Sequence, residues 1–142
     1  MHANWLAVLV AAIATMIVGF IWYSNPMFGK AWMRVIGVDP SDKEQVEKIQ
    51  KAAGPLYGFM FIGSLVAAYV LSIFISGLGA MGASGGMKVA FWVWLGFIAT
   101  VKFGDALFSG KTPSIRKTMF WTGAGFQLAS FLAMGAILGA WK

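Results

Sequence analysis

The 142-residue sequence contains no cysteine, a single histidine and only five acidic residues. Without cysteine there is no disulfide framework, no thiolate metal site and no thiol nucleophile. The histidine, His2, has no carboxylate or thiol beside it, so no metal is expected there. No Ser-His-Asp set or paired-carboxylate arrangement stands out, so an enzyme is not expected, and neither is a cofactor. Charge is scarce as well. Only 11% of the residues are charged, whereas a soluble domain carries about 25%, so the chain lacks the means to solvate a globular surface. The net charge of +6 is not organised into a basic stripe with interleaved aromatics, so nucleic acid is not an expected partner. Glycine is plentiful in "SGLGAMGASGG", but that segment follows no strand and lacks the lysine-hydroxyl ending of a phosphate-binding loop.

What the chain has instead is apolar length. Hydrophobic residues make up 59% of it and the mean hydropathy is +0.76. A hydrocarbon core of about 30 Å requires about 20 apolar residues of helix. Four windows supply them, at about 4–23, 56–77, 87–108 and 119–141. Each must be helical, because a lone strand would leave its backbone polar groups unpaired in lipid. No Lys or Arg precedes the first run, and the run exceeds a signal-peptide core, so it reads as a retained helix. The sequence predicts an all-α membrane four-helix bundle, one domain over 1–142, with the lipid bilayer as its surroundings.

The connections differ in character. Residues 39–54, "DPSDKEQVEKIQKAAG", form the one strongly polar stretch and predict a short soluble helix. Ser41 is its expected cap, with Glu44 completing a capping box. Gly54 and Pro55 are expected to end it and open the second span. The second connection, "SGLGAMGASGG", reads as a flexible loop, and the third, "SGKTPSIRK", as a basic turn. Lys30, Arg34, Lys43, Lys48, Lys51, Lys111, Arg116 and Lys117 flank the first and third connections, against Lys88 and Lys142 on the other side. The positive-inside bias then predicts cytoplasmic basic connections and both termini outside a cell (inner) membrane.

After the first run comes "WYSNPMFGKAW". Trp22 and Tyr23 are suited to headgroup depth, Ser24 and Asn25 to bonding freed carbonyls, and Pro26 to stopping the helix. Met27, Phe28, Trp32, Val35 and Ile36 read as a lipid-facing side with Lys30 and Arg34 toward phosphate, which predicts a short interfacial helix. With Trp22-Tyr23-Ser24, Phe28-Gly29-Lys30 and Trp32, and with the later "FWVWLGF" and "GAILGAW", the chain resembles domain-of-unknown-function family 1761, a family of small four-helix membrane proteins. The resemblance covers nearly the whole chain and implies fold and location, but no activity. Asn25 stands where such proteins tend to have proline directly after the serine.

Small residues recur at helical spacing: Ala7, Ala11, Thr15 and Gly19; then Gly96, Thr100 and Gly104; and finally Gly135 and Gly139. Such series let membrane helices approach closely, within the bundle or between subunits. In the third span, Phe91, Trp94, Ile98, Lys102 and Asp105 share one face, with the small residues opposite. Lys102 and Asp105 are the only ionisable pair in an apolar run, and their spacing permits a salt bridge. They read either as an anchor at the cytoplasmic interface or as a polar site in the bundle. Gln127 lies at comparable depth and is expected to bond a neighbouring helix. A vestibule at this depth would add Tyr57 or Asn25. The expected role is that of an accessory or structural protein, packing with itself as a homo-oligomer or with another membrane protein. The alternatives are a small transporter or channel, and a binder of a lipid- or quinone-like ligand between helices.

Overall fold

The computed structural model describes residues 4–24 and 26–141. Expectations for His2, Asn25 and Lys142 lie outside these residues. The described residues form five helices: α1 Trp5–Trp22, α2 Gly29–Val35, α3 Lys43–Gly77, α4 Gly82–Leu107 and α5 Pro113–Ala140. Four of them, all but α2, are long and apolar enough to cross a membrane. No strand occurs among the described residues. Phe59, Ile62, Trp92, Phe97, Phe103 and Phe108 are each more than half exposed. Monomeric soluble proteins rarely expose a surface this apolar; hydrocarbon is the solvent that accounts for it.

Helix α5 is the hub. It packs along α4 and α1 and touches α2 and α3, whereas α3 leans mainly on α1. The tightest seam joins α4 to α5. A Cβ on Gly86 would strike the carbonyl oxygen of Gly135, and one on Gly139 that of Gly82. Gly135 and Gly139 therefore serve the intramolecular seam. Their partners Gly82 and Gly86 belong to "SGLGAMGASGG", expected as a loop; its second half is helical. The turn is confined to a few residues around Gly79 and Gly82, whose φ angles of +67° and +73° suit glycine. The core gathers Ala7, Val8 and Ala11 of α1, Leu71 and Ile75 of α3, Val89 and Ala90 of α4, and Phe131, Met134 and Leu138 of α5. Thr15 is buried on the same stripe of α1, and Gly19 at its end meets the ring of Phe126. The buried hydroxyls are mostly satisfied within their own helices: Thr15 donates to the Ala11 carbonyl at 3.3 Å and Ser64 to that of Met60 at 2.9 Å.

Three local expectations change. Asp42, not Ser41, caps α3: its carboxylate accepts from the Gln45 amide at 3.2 Å. Ser41 instead turns back, its hydroxyl and amide both donating to Asp39, which holds the Asp39 carboxyl below its usual range. Gly54 and Pro55 do not separate two helices; α3 runs through them for 35 residues. Proline removes one amide donor, and one lost bond does not end a helix that continues into hydrocarbon, where every other backbone group demands its partner. At 1.5 Å per residue α3 is about 52 Å long, well beyond a ~30 Å hydrocarbon core, so its polar first third projects past the apolar layer. The interfacial helix α2 is present, but Val35 is buried and Trp32 half-buried, so these two face the bundle and not lipid.

Candidate functional site

The first signature motif folds into an aromatic knot. Ser24 donates to the Ile21 carbonyl at 2.6 Å, and the amides of Met27 and Gly29 return to the Ser24 carbonyl. The chain reverses so tightly that a Cβ on Gly29 would stand 2.5 Å from the Tyr23 carbonyl oxygen, which explains glycine between Phe28 and Lys30. Trp22 is not simply a headgroup anchor: its indole donates to the Thr122 carbonyl of α5 at 2.9 Å, packs on Phe28 at 4.5 Å between ring centres, and lies against Gly125. Tyr23 meets Trp32 and Phe126 edge-on. Lys30 remains exposed at the rim. The motif thus ties α1, α2 and α5 together at one end of the bundle.

Beside this knot the bundle opens. Helix α3 approaches the first half of α4 and diverges from the second, leaving a lateral cleft floored by α5. The cleft has a volume of about 410 Å³ and is walled by Phe59, Met60 and Gly63 of α3 and by Phe97, Ile98 and Val101 of α4. Phe126, Gln127, Phe131 and Met134 form its floor, with Thr15 and Ser64 as minor polar points. Toward the basic end it meets a second cavity of about 310 Å³. The two share Met60, Lys102, Phe126 and Gln127, and the second adds Tyr23, Trp32 and Asp105. Lys102, Asp105 and Gln127, singled out from the sequence, therefore line one space.

Their chemistry is open. Lys102 is half-buried, with its side chain running past Gly123 of α5, and Asp105 is more exposed. No salt bridge joins them, although their spacing permits one, and Gln127 makes no side-chain hydrogen bond to a neighbouring helix. The α4 backbone contributes to this arrangement. Trp94–Ala99 is a π-helical segment, in which each turn closes one residue later than in an α-helix. Residues beyond such a segment are rotated back relative to those before it, which brings Lys102 nearer the face of Trp94 and Ile98. Trp94 is fixed by an indole hydrogen bond to the Ala124 carbonyl at 2.9 Å. The opposite face is left outward: Gly96 and Thr100 are exposed, and a Cβ on Gly96 or Gly104 would meet nothing within 4 Å. Tyr57 does not line the cavity; it packs on Phe20 at 5.2 Å. Sequence reasoning missed Tyr23 and Trp32 as cavity walls, although both belong to the signature motif.

Four apolar helices, three of them packed around α5, with a cleft open to the side, define a polytopic α-helical membrane protein. The chain matches, over residues 6–139, the family described as "Protein of unknown function (DUF1761)", and it belongs to that family. No curated protein and no solved structure matches it.

Proposed function

We propose that this protein is a binding protein of the membrane, not an enzyme, and that it holds a lipid-like amphiphile in the cleft between α3 and α4. The observation that carries this reading is the cleft itself. It is lined mainly by apolar side chains, has a volume of about 410 Å³, opens laterally and is ended by unpaired polar groups. Ligand sites are typically of this kind, mostly hydrophobic with a few placed polar side chains. The positive-inside bias supports cytoplasmic basic connections with both termini outside, so the polar end of the cleft opens toward the cytoplasmic leaflet. The test exploits Gly63, which lines the cleft and has no atom within 4 Å of a Cβ built on it. Gly63→Phe places a ring in the cleft from a position where no backbone has to move. A ring occupying the space of the acyl chain is expected to lower lipid retention, through lost packing and steric exclusion. Native mass spectrometry of protein extracted in mild detergent reads this directly, with the thermal midpoint unchanged. Equal retention by both proteins overturns the reading.

A second reading rests on a separate observation. The outward stripe of Gly96, Thr100 and Gly104 has no intramolecular neighbour at its glycines, and small residues let membrane helices pack closely. It supports association with a second copy as a homo-oligomer, or with another membrane protein. Disulfide trapping through Gly96→Cys in this cysteine-free chain checks it: cross-linked dimer in native membranes supports the stripe, and monomer alone rules out self-association there.

A further inference from the structure

The cleft's polar end carries two opposite charges that do not neutralise each other. Lys102 and Asp105 lie on one wall, one helical turn apart, and both face the same 310 Å³ cavity. An ammonium and a carboxylate at this spacing on a helix can pair; here no ion pair forms. Their order along α4 also matters. Asp105 lies two residues from the helix end at Leu107, while Lys102 lies about 4.5 Å further in along the axis and borders the apolar cleft as well. From the middle of the bundle outward, the sequence of environments is therefore apolar cleft, cation, anion.

A zwitterionic phospholipid has the complementary order: acyl chain, then phosphate, then ammonium. Resting on the cleft reading above, we propose that the occupant is a zwitterionic glycerophospholipid of the phosphatidylethanolamine kind. One acyl chain lies between α3 and α4, the phosphate meets Lys102 and the terminal ammonium meets Asp105. The rise between the two residues is about 4.5 Å, a distance that the two-carbon linker from phosphate to amine covers. Gln127, unpaired and shared by both cavities, offers its amide to the ester and phosphate oxygens between. A purely anionic headgroup leaves Asp105 facing a like charge, and a headless diacylglycerol offers neither charge a partner. Tyr23 and Trp32 enclose the headgroup from the α1–α2 side. This gives the signature motif a part in the site beyond holding three helices together.

The experiment is competition. Full-length protein is exchanged into micelles holding equal amounts of phosphatidylethanolamine, phosphatidylglycerol and diacylglycerol with identical chains, and the retained lipids are read by native mass spectrometry. Phosphatidylethanolamine is expected to lead both competitors by about tenfold. Asp105→Asn is expected to raise phosphatidylglycerol to parity while total phospholipid stays level. Lys102→Met is expected to remove the preference for phospholipid over diacylglycerol, and Lys102→Arg to restore it, which separates loss of charge from loss of fold. Diacylglycerol retained equally by the unaltered protein overturns the headgroup assignment and leaves the cleft reading standing. An unchanged ratio of phosphatidylethanolamine to phosphatidylglycerol in Asp105→Asn overturns the role of the carboxylate. No lipid retained at all overturns both readings.

Discussion

A glycine in this chain means opposite things a few turns apart. At Gly135 the missing side chain is what lets two helices meet: a Cβ there would sit 2.5 Å from the Gly86 carbonyl oxygen and 2.7 Å from the Ala90 methyl. Backbone cannot rotate aside as a side chain can, so Gly135→Ala must push α4 off α5. A loss of about 1–3 kcal/mol is expected, the usual cost of overpacking a close contact. Gly96 and Gly104 have open space around them. There the same change removes only the conformational cost of glycine in a helix, worth up to about 1 kcal/mol in the other direction. Reversible unfolding in mixed micelles distinguishes the pair, with the Gly135 variant melting lower and the Gly96 variant at or above the parent. The spacing of these residues was visible in the sequence, but which series met a neighbour was not, because a glycine carries no chemical mark of its partner. Gly86 was hidden for a further reason: a run so rich in glycine reads as a loop until the complementary Gly135 and Gly139 are placed against it. Ser130 makes a related point. It is fully buried, and its hydroxyl is the one buried side-chain polar atom without a partner among the described residues. It serves the packing of α5 as a small residue would.

At the scale of elements, the hydropathy pattern located all four spans, because the demand for backbone satisfaction in hydrocarbon leaves little choice of secondary structure. Their ends were harder to read, since local stop signals compete with continuity. Pro55 is the clearest case. Together with Gly54 it argued for a break, yet α3 continues from Lys43 to Gly77. Proline still deprives the Lys51 carbonyl of its amide donor, and this weakness lies where the polar part of α3 passes into the apolar part. Pro55→Ala supplies the missing donor and removes an intrinsic penalty of about 3 kcal/mol. Amide exchange of residues 53–58 in micelles is expected to slow markedly in the variant. Unchanged rates there would mean that water or a side chain already satisfies the freed carbonyl. The π segment of α4 was illegible for a different reason. Nothing in Trp94-Leu95-Gly96-Phe97-Ile98-Ala99 selects a π turn over an α-helical one, and the widened turn accompanies tertiary contact, with Trp94 reaching the Ala124 carbonyl. The polar residues beyond it could be named in advance. That Lys102, Asp105 and Gln127 border one space depended on helix rotation and on the divergence of α3 from α4, neither of which a single sequence encodes locally.

For the whole molecule, the cleft and the charge distribution belong to the same end. The α1–α2 knot, the exposed start of α3 and the α4–α5 turn carry most of the cations, while the start of α1 meets the end of α5 at the opposite pole, where the Asn4 side-chain amide donates to the Trp141 carbonyl at 3.4 Å. Orientation therefore decides which leaflet supplies the cleft. The absence of cysteine makes the measurement direct, because any introduced thiol is unique. Gln50→Cys on the polar part of α3 and Ser114→Cys in the first turn of α5 report the basic end; Ser84→Cys in the first turn of α4 reports the other. All three positions are exposed, and none removes a charge. With both termini outside, an impermeant maleimide added to intact cells labels Ser84→Cys alone, and Gln50→Cys and Ser114→Cys react only after permeabilisation. Labelling of the two basic-end positions in intact cells, with Ser84→Cys protected, reverses the orientation. The cleft would then draw its lipid from the outer leaflet, with the same residues meeting the headgroup from the other side of the membrane.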